Sequence, residues 1–440
     1  MADKRVERTV PLLYLGTAHV SLALAFLFAG CWPEAVAGFF YHSWLIALVH
    51  LVTLGWISFS IVGAFYIAGP LALRMEMPAR RLDYVAYAFA IVGLIGMAGH
   101  FWIQEYAGMS WSAATIATGI LYMTIRMVAG LRAAKIQRAV KAHIVLACVN
   151  FWIAASMGLL IALDKVWHFL GGFVLANVFA HAHVAALGWA TMMVVGVGYR
   201  MLPMTVPAKI PTGRSIYAGA ILLEVGVLGL FTTLLLRSAV AWVFGVTVVG
   251  GLVVFAAHVV GMLRRRVSKP VGAPRVDFGL LHAAAAGVSL IIAVALGIAL
   301  LIMPTSSRML HAAAAYGVFG LIGFLAQMIV AMETRLLSMV TWFWTYAASG
   351  YRVAPPSPHV MRARTLQAIV FAGWIIGVPT LAAGMFLESA RLVGLGAWSL
   401  FAAVAIATLD HALVVSRSIH LQPQWRPNVS QSRATLGSRI

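Results

Sequence analysis

Charge is what this chain of 440 residues is short of. Only 10% of its residues are Asp, Glu, Lys or Arg, and the acids number 12 against 31 bases. Soluble domains carry about 25% charged residues, so an ordinary hydrated surface is excluded. Cysteine is scarcer still: Cys31 and Cys148 are the only two. That is too few for a disulfide framework. Cys31 falls at the end of one apolar segment and Cys148 inside another, so they are not expected to pair. There is no C-x-x-C-H, which excludes covalent c-type haem attachment. Neither a phosphate-binding P-loop nor a dinucleotide-binding glycine motif occurs, and no two histidines are adjacent.

Apolar residues fill the space that charge leaves. They make up 62% of the chain, with a mean hydropathy of +0.95. These are the values of a polytopic membrane protein. Twelve segments are long enough to span, at roughly 10–30, 43–69, 84–103, 111–131, 142–163, 169–199, 215–236, 239–263, 278–303, 309–333, 366–387 and 392–415. In hydrocarbon each must satisfy its own backbone, so each is expected to be a helix. The first follows Lys4, Arg5 and Arg8 as a signal peptide does, but it lacks a convincing small-residue cleavage site and reads as a retained helix. No separate soluble domain is expected. The longest polar stretches are the loop at about 334–365 and the tail after His420.

A formal charge of +19 suggests nucleic acid until its placement is traced. With the N-terminus inside and the loops alternating, 27 Lys and Arg lie on one side of the membrane. Four lie on the other: Lys165, Arg237, Arg308 and Arg391. That is a positive-inside bias. It places both termini in the cytoplasm of a bacterial inner-membrane protein, and it leaves no nucleic-acid partner. Arg264-Arg265-Arg266 reads as an anchor against anionic lipid.

One pattern occurs twice. His50-Leu-Val-Thr-Leu54-Gly55-Trp56 continues through Gly63 and Tyr66 to Pro70, and His183-Val-Ala-Ala-Leu187-Gly188-Trp189 continues through Gly196 and Tyr199 to Pro203. Both read H-x3-L-G-W-x6-G-x2-Y-x3-P without insertion. The two histidines stand in the second and sixth segments, and a similar interval further on His311 opens the tenth. The first, fifth and ninth segments also carry a histidine each, at His19, His143 and His282. A period of about 130 residues predicts an all-α fold of three pseudo-symmetric four-helix arcs. The prolines mark the inner helix ends, so His50 and His183 lie about 30 Å from them, towards the outer face. His181, His100, His168 and His311 share that outer tier, whereas His143, His282 and His19 lie nearer the inner surface.

Two imidazoles set in register within hydrocarbon make a haem or metal site the first expectation. A low-spin haem b takes two neutral nitrogens on opposite faces of the iron, from helices that hold both rings. Gly55 and Gly188 allow close approach of a ring or a neighbouring helix. Trp56 and Trp189 are expected to pack, with walling of such a pocket as the alternative. His181-Ala-His183 is the sharpest local feature, because side chains two apart on a helix point about 200° from each other. One helix thus offers ligands to sites on either side.

His181-Ala-His183-Val-Ala-Ala-Leu-Gly-Trp, with Gly196, Tyr199 and Pro203 below it, resembles the double-histidine helix of the cbb-type cytochrome oxidases. Twelve helices in three arcs with outer ligands are similar to haem–copper oxidase subunit I. His311-Ala and Thr334-Arg335 are more loosely similar to NnrS-like haem–copper proteins linked to nitric oxide metabolism. The resemblance implies His183 opposite His50 on a low-spin haem iron. It also implies His181, with His311, at a second haem or a copper. The double-histidine helix is the tenth in those oxidases and the sixth here, and the seventh segment has no histidine.

The reading that follows is a haem protein in electron transfer, or in O2 or NO handling, supplied by a cytochrome c, a quinol or a partner subunit. A catalytic oxidase or nitric oxide reductase subunit with a rearranged metal site is one alternative, and a haem-free transporter with a histidine-lined pathway is another. Glu224, about ten residues into the seventh segment, is a candidate proton relay or propionate neighbour. Glu333 and Asp410 lie near the inner end, and Asp410-His411 receives no role. His42, His258, His359 and His420 read as interfacial or loop residues.

Overall fold

A backbone amide left bare in lipid costs several kcal/mol, and this chain leaves its apolar segments no alternative to the helix. The computed structural model describes residues 7–267, 276–304, 306–358 and 361–424, with side chains as far as Ser416. Among them no strand occurs. Twelve helices are long and apolar enough to cross a membrane. They are α1 (Thr9–Cys31), α2 (Ser43–Leu71), α3 (Arg81–Ile103), α4 (Tyr106–Ala133), α5 (Arg138–Trp167), α6 (Val174–Thr205), α7 (Ser215–Leu235), α8 (Ala241–Arg264), α9 (Phe278–Ile302), α10 (Ser307–Ala348), α11 (Arg364–Phe386) and α12 (Ala390–Ser416). Leu82, Val92 and Ile95 of α3, Ile221 of α7, Val253 of α8 and Ile291 of α9 are exposed. On a soluble protein so much apolar surface would drive association; facing lipid it is the ordinary state.

One boundary differs from expectation. The apolar stretch of the tenth segment ends near Glu333, yet α10 runs on to Ala348, 42 residues in all. Its polar residues are matched within the protein: Glu333 meets α1, and Arg335 pairs with Asp277 at the start of α9. Paired ions inside a bundle do not have to leave it.

The helices form three arcs. The most extensive packing joins α3 to α4, α7 to α8 and α11 to α12. Reciprocal glycines explain all three hairpins: Gly226 lies against the backbone of Val248 and Gly251 against Leu223, while Gly384 meets Val393 and Gly396 meets Leu381. In the remaining one, Gly93 lies against Ile116 and Gly119 against Ala90. Each hairpin then joins the first helix of the next unit, α4 to α5, α8 to α9 and α12 to α1. The arcs are therefore α3–α6, α7–α10, and α11 and α12 with α1 and α2.

At the centre stand α2, α6 and α10, and each is underwound in the same place. The α-helical ladder gives way to π-helix over Leu51–Ser58, Val184–Thr191 and Val318–Ala326. Ser58 and Thr191 hydroxyls reach back five residues, to the Thr53 and Ala186 carbonyls, at 3.0 and 2.9 Å. A glycine in each π segment admits the preceding helix. A Cβ at Gly55 would meet Ser21 of α1, at Gly188 Asn150 of α5, and at Gly323 Ser289 of α9.

The residue after each glycine locks the ring of helices. Trp189 Nε1 donates to Ser58 Oγ of α2 at 3.0 Å, and Trp56 Nε1 donates to the Ala326 carbonyl of α10 at 3.4 Å. Each acceptor lies two residues beyond the aromatic of the helix that receives the bond. Phe324 is the third member, and it has no N–H to give.

This register corrects one expectation. The third counterpart of His50 and His183 is Tyr316, which lies 133 residues beyond His183. The same interval separates His183 from His50. The π segments begin at Leu51, Val184 and Val318, so by their register Tyr316 is one position early and His311 six. Counting histidines alone missed this, because the third arc carries a phenol at that level.

Candidate functional site

The outer tier is built from rings tethered by their Nδ1 atoms. His50 Nδ1 donates to the Ile46 carbonyl at 2.8 Å, and His183 Nδ1 to that of Phe179 at 2.8 Å. His181 Nδ1 donates across to the Ala154 carbonyl of α5 at 2.9 Å. A carbonyl accepts only, so in each neutral ring the proton is on Nδ1 and the lone pair is on Nε2. Such outer bonds fix ring and tautomer for a metal-ligating histidine. Among the described residues, Nε2 of His50 and of His181 takes no hydrogen-bond partner.

The arcs decide which rings share a space. His50 stacks on Phe101 of α3, with ring centres 5.3 Å apart. His181 lies against α5, where a Cβ on Gly158 would come within 2.8 Å of its Cε1. Both helices belong to the arc α3–α6, and the two histidines are electrostatic neighbours. His183 points the other way. It stacks on Tyr316 of α10 at 5.9 Å, and the Tyr316 hydroxyl is 3.2 Å from its Nε2. The divergence expected of an i, i+2 pair is thus realised, with His181 on the His50 side. His311 is at the rim, where Nε2 meets Glu388 at 3.0 Å. Among the described residues no hydrogen bond, ion pair or ring contact joins it to His181.

Glu224 is half-buried in α7 and accepts from Asn150 Nδ2 at 2.8 Å. Asn150 is the residue that packs on Gly188, so this carboxylate faces the middle of the bundle beside the π segment of α6. Trp56 and Trp189 act as the packing locks described above. Among the remaining histidines, His42 caps the start of α2, and His258 meets Ser215. His143 is buried against Tyr199. His359 and the side chain of His420 lie outside the described residues. Cys31 and Cys148 are both free.

A second polar centre was not anticipated. His19 of α1, Glu333 of α10 and His411 of α12 are all buried, and one ligand atom from each lies within 4.8 Å of the other two. Among the described residues this is the one such trio. Trp56 covers His19 edge-on at 5.0 Å, which places the cluster about six residues, roughly 9 Å, inward of His50. Arg362 and Asp410 pair beside it at 3.6 Å. His282 joins the same region through Gln327 Nε2, 3.3 Å from its Nδ1. The signal available in the sequence was the run of charge at 333–335 together with Asp410-His411, both of which read there as surface.

Comparison with protein-family models and with curated proteins finds no match for this chain. The fold and these sites define an all-α, multi-pass membrane protein with two histidine centres at different depths, the inner one buried.

Proposed function

We propose that the chain binds haem b between α2 and α6, on the side that faces the arc α3–α6, where the imidazoles of His50 and His181 would hold it. The observation that carries this reading is the pair of Nδ1-tethered imidazoles packed against helices of one arc, whose Nε2 atoms have no other partner among the described residues. The donor set fits the group: two neutral rings, held by backbone bonds, from helices pinned together by Trp189 and Ser58. Phe101 supplies a flat apolar wall. Haem held there by both imidazoles would supply a one-electron redox centre; if one of the two rings let go, the group could take O2 or NO.

The protein's own residues would set the properties of that centre. Carbonyl acceptors on Nδ1 make the imidazoles more basic ligands. The apolar shell keeps water out, and Glu224, with Asn150, stands nearby as a group that can hold a proton. Electrons would come from a cytochrome c, a quinol or a partner subunit, because the described chain has no soluble electron-entry domain. The inner membrane of a bacterium is the location that the distribution of basic loops supports.

The test is an absorption spectrum of the full chain purified after haem-replete expression. A Soret band with low-spin features is expected, and His50→Ala and His181→Ala should each abolish it. His183→Phe and Tyr316→Phe should leave it in place. Loss of the band with His183→Phe and its survival with His181→Ala would restore His183 as the partner of His50. No band at all would instead favour a haem-free transporter.

A further inference from the structure

Hydrogen-bond accounting at the inner cluster leaves one positive charge missing. Thr408 Oγ1 is 2.7 Å from the Val404 carbonyl and 2.9 Å from His19 Nδ1. The carbonyl takes the hydroxyl proton, so Thr408 accepts from His19 Nδ1–H, and a neutral His19 has its lone pair on Nε2. Two atoms face that lone pair: His411 Nδ1 at 3.0 Å and Glu333 Oε2 at 3.1 Å. His411 Nδ1–H can satisfy one approach. The carboxylate then meets a lone pair with no hydrogen between them, and the other carboxylate oxygen, Oε1, is buried without a partner. Three acceptor-capable atoms from three helices therefore point at one spot with one proton among them.

We propose that His19, Glu333 and His411 bind a divalent first-row transition-metal ion, with water as a fourth ligand. This site is separate from the haem pair and does not rest on it. Two imidazoles and a carboxylate are a standard three-ligand set for such ions. A tetrahedral ion at 2.0–2.1 Å places its ligand atoms roughly 3.3 Å apart, so the two separations from His19 Nε2 need only open by a few tenths of an ångström, and the His411 and Glu333 atoms lie within 4.8 Å of each other. Thr408 is the outer partner that fixes the His19 ring, as metal-ligating histidines require. Beside His411 is a cavity of about 20 Å³, lined also by Asp410 and Arg362, enough for one water. Arg362 pairs with Asp410 at 3.6 Å beside the cluster, while Glu333 Oε1 is buried without a hydrogen-bond partner. Burial pushes the Arg362 guanidinium down to about 10, with Asp410 and Glu333 holding it up.

The experiment uses the full chain in detergent, stripped with a chelator and titrated with Co2+, whose tetrahedral complexes absorb strongly in the visible. One equivalent is expected to bind with that signature and to be displaced by Zn2+. Glu333→Gln and His411→Gln should abolish it while eluting as monodisperse protein, and His50→Ala and His181→Ala should leave it unchanged. Thr408→Val, which alters no ligand, should weaken Co2+ binding about tenfold or more. Wild-type protein that binds no more Co2+ than Glu333→Gln would overturn the proposal and assign the missing charge to a proton. Binding by Thr408→Val as tight as that of wild type would overturn it equally.

Discussion

Replacing Gly55 by alanine puts a methyl group where α1 already stands. The new Cβ would lie 2.5 Å from Ser21 Cβ and 2.7 Å from its Oγ. Carbon atoms rest at about 3.5–4.0 Å, so the two helices must part by about 1 Å. Neither atom can swing away, because Ser21 Cβ is fixed to its backbone and its hydroxyl is bonded to the Thr17 carbonyl at 2.8 Å. Overpacking of this kind costs about 1–3 kcal/mol, partly offset by the gain of about 1 kcal/mol when alanine replaces glycine in a helix. A net loss of up to about 2 kcal/mol follows from these two terms. Gly16, on the same α1, has nothing within 4 Å of its Cβ, so Gly16→Ala should be neutral or stabilising. The assay is thermal unfolding in detergent, followed by tryptophan fluorescence and by the monodisperse fraction that survives heating. The decisive arm is the double variant Gly55→Ala with Ser21→Gly, which removes the obstructing atom. Its loss should be smaller than the sum of the two single losses, with a coupling of about 1–2 kcal/mol. Strict additivity, or equal losses at Gly16 and Gly55, would refute the claim that close approach at the π segment is what the glycine serves.

Three further outcomes are expected. Trp189→Phe should cost about 1 kcal/mol, the worth of one buried hydrogen bond, because Ser58 keeps its bond to Thr53. Thermal unfolding measures it, and a loss of about 4 kcal/mol or more, well beyond one such bond, would show that Trp189 holds more than the α2–α6 lock. Arg362→Leu removes the cation between Asp410 and Glu333 and should cost about 3 kcal/mol or more, seen as poor recovery of monodisperse protein; wild-type recovery would mean that the acids are neutral without it. Burial pushes His42 below its ordinary 6.5, against a backbone contact at Ala35 that raises it. The unfolded chain therefore binds this proton more readily, and His42 contributes stability at neutral pH that is lost as pH falls below 6.5. His42→Asn keeps an N-cap and should flatten the acid side of the stability profile; an unchanged profile would place the titration elsewhere.

The twelve spans were legible because hydrocarbon allows a segment few options: length and hydropathy settle which residues are helical. The arcs were legible through the long internal period, since the His50 and His183 segments repeat without insertion. Their third member was not, because Tyr316 keeps level and ring but not residue type, and its contact with His183 together with the π segment beginning two residues on shows it. Gly55 and Gly188 were readable as points of close approach, though not that Ser21 and Asn150 are what approach them.

The candidate sites divide along the same line. His50, His181 and His183 stand out in the chain, because an imidazole in an apolar run is conspicuous and an i, i+2 pair must diverge. Which of the two turns towards His50 depends on the packing of α5 and α10 around α6, and no local pattern encodes that. The inner cluster joins residues far apart in the chain, His19 to Glu333 and His411. In the sequence Glu333 ends an apolar stretch and reads as surface, since an unpaired acid would have to leave the membrane. Helix, depth and period follow from each residue's own solvation and were determined by the sequence. Which polar groups satisfy one another is a property of three helices meeting, and only the tertiary structure decided it.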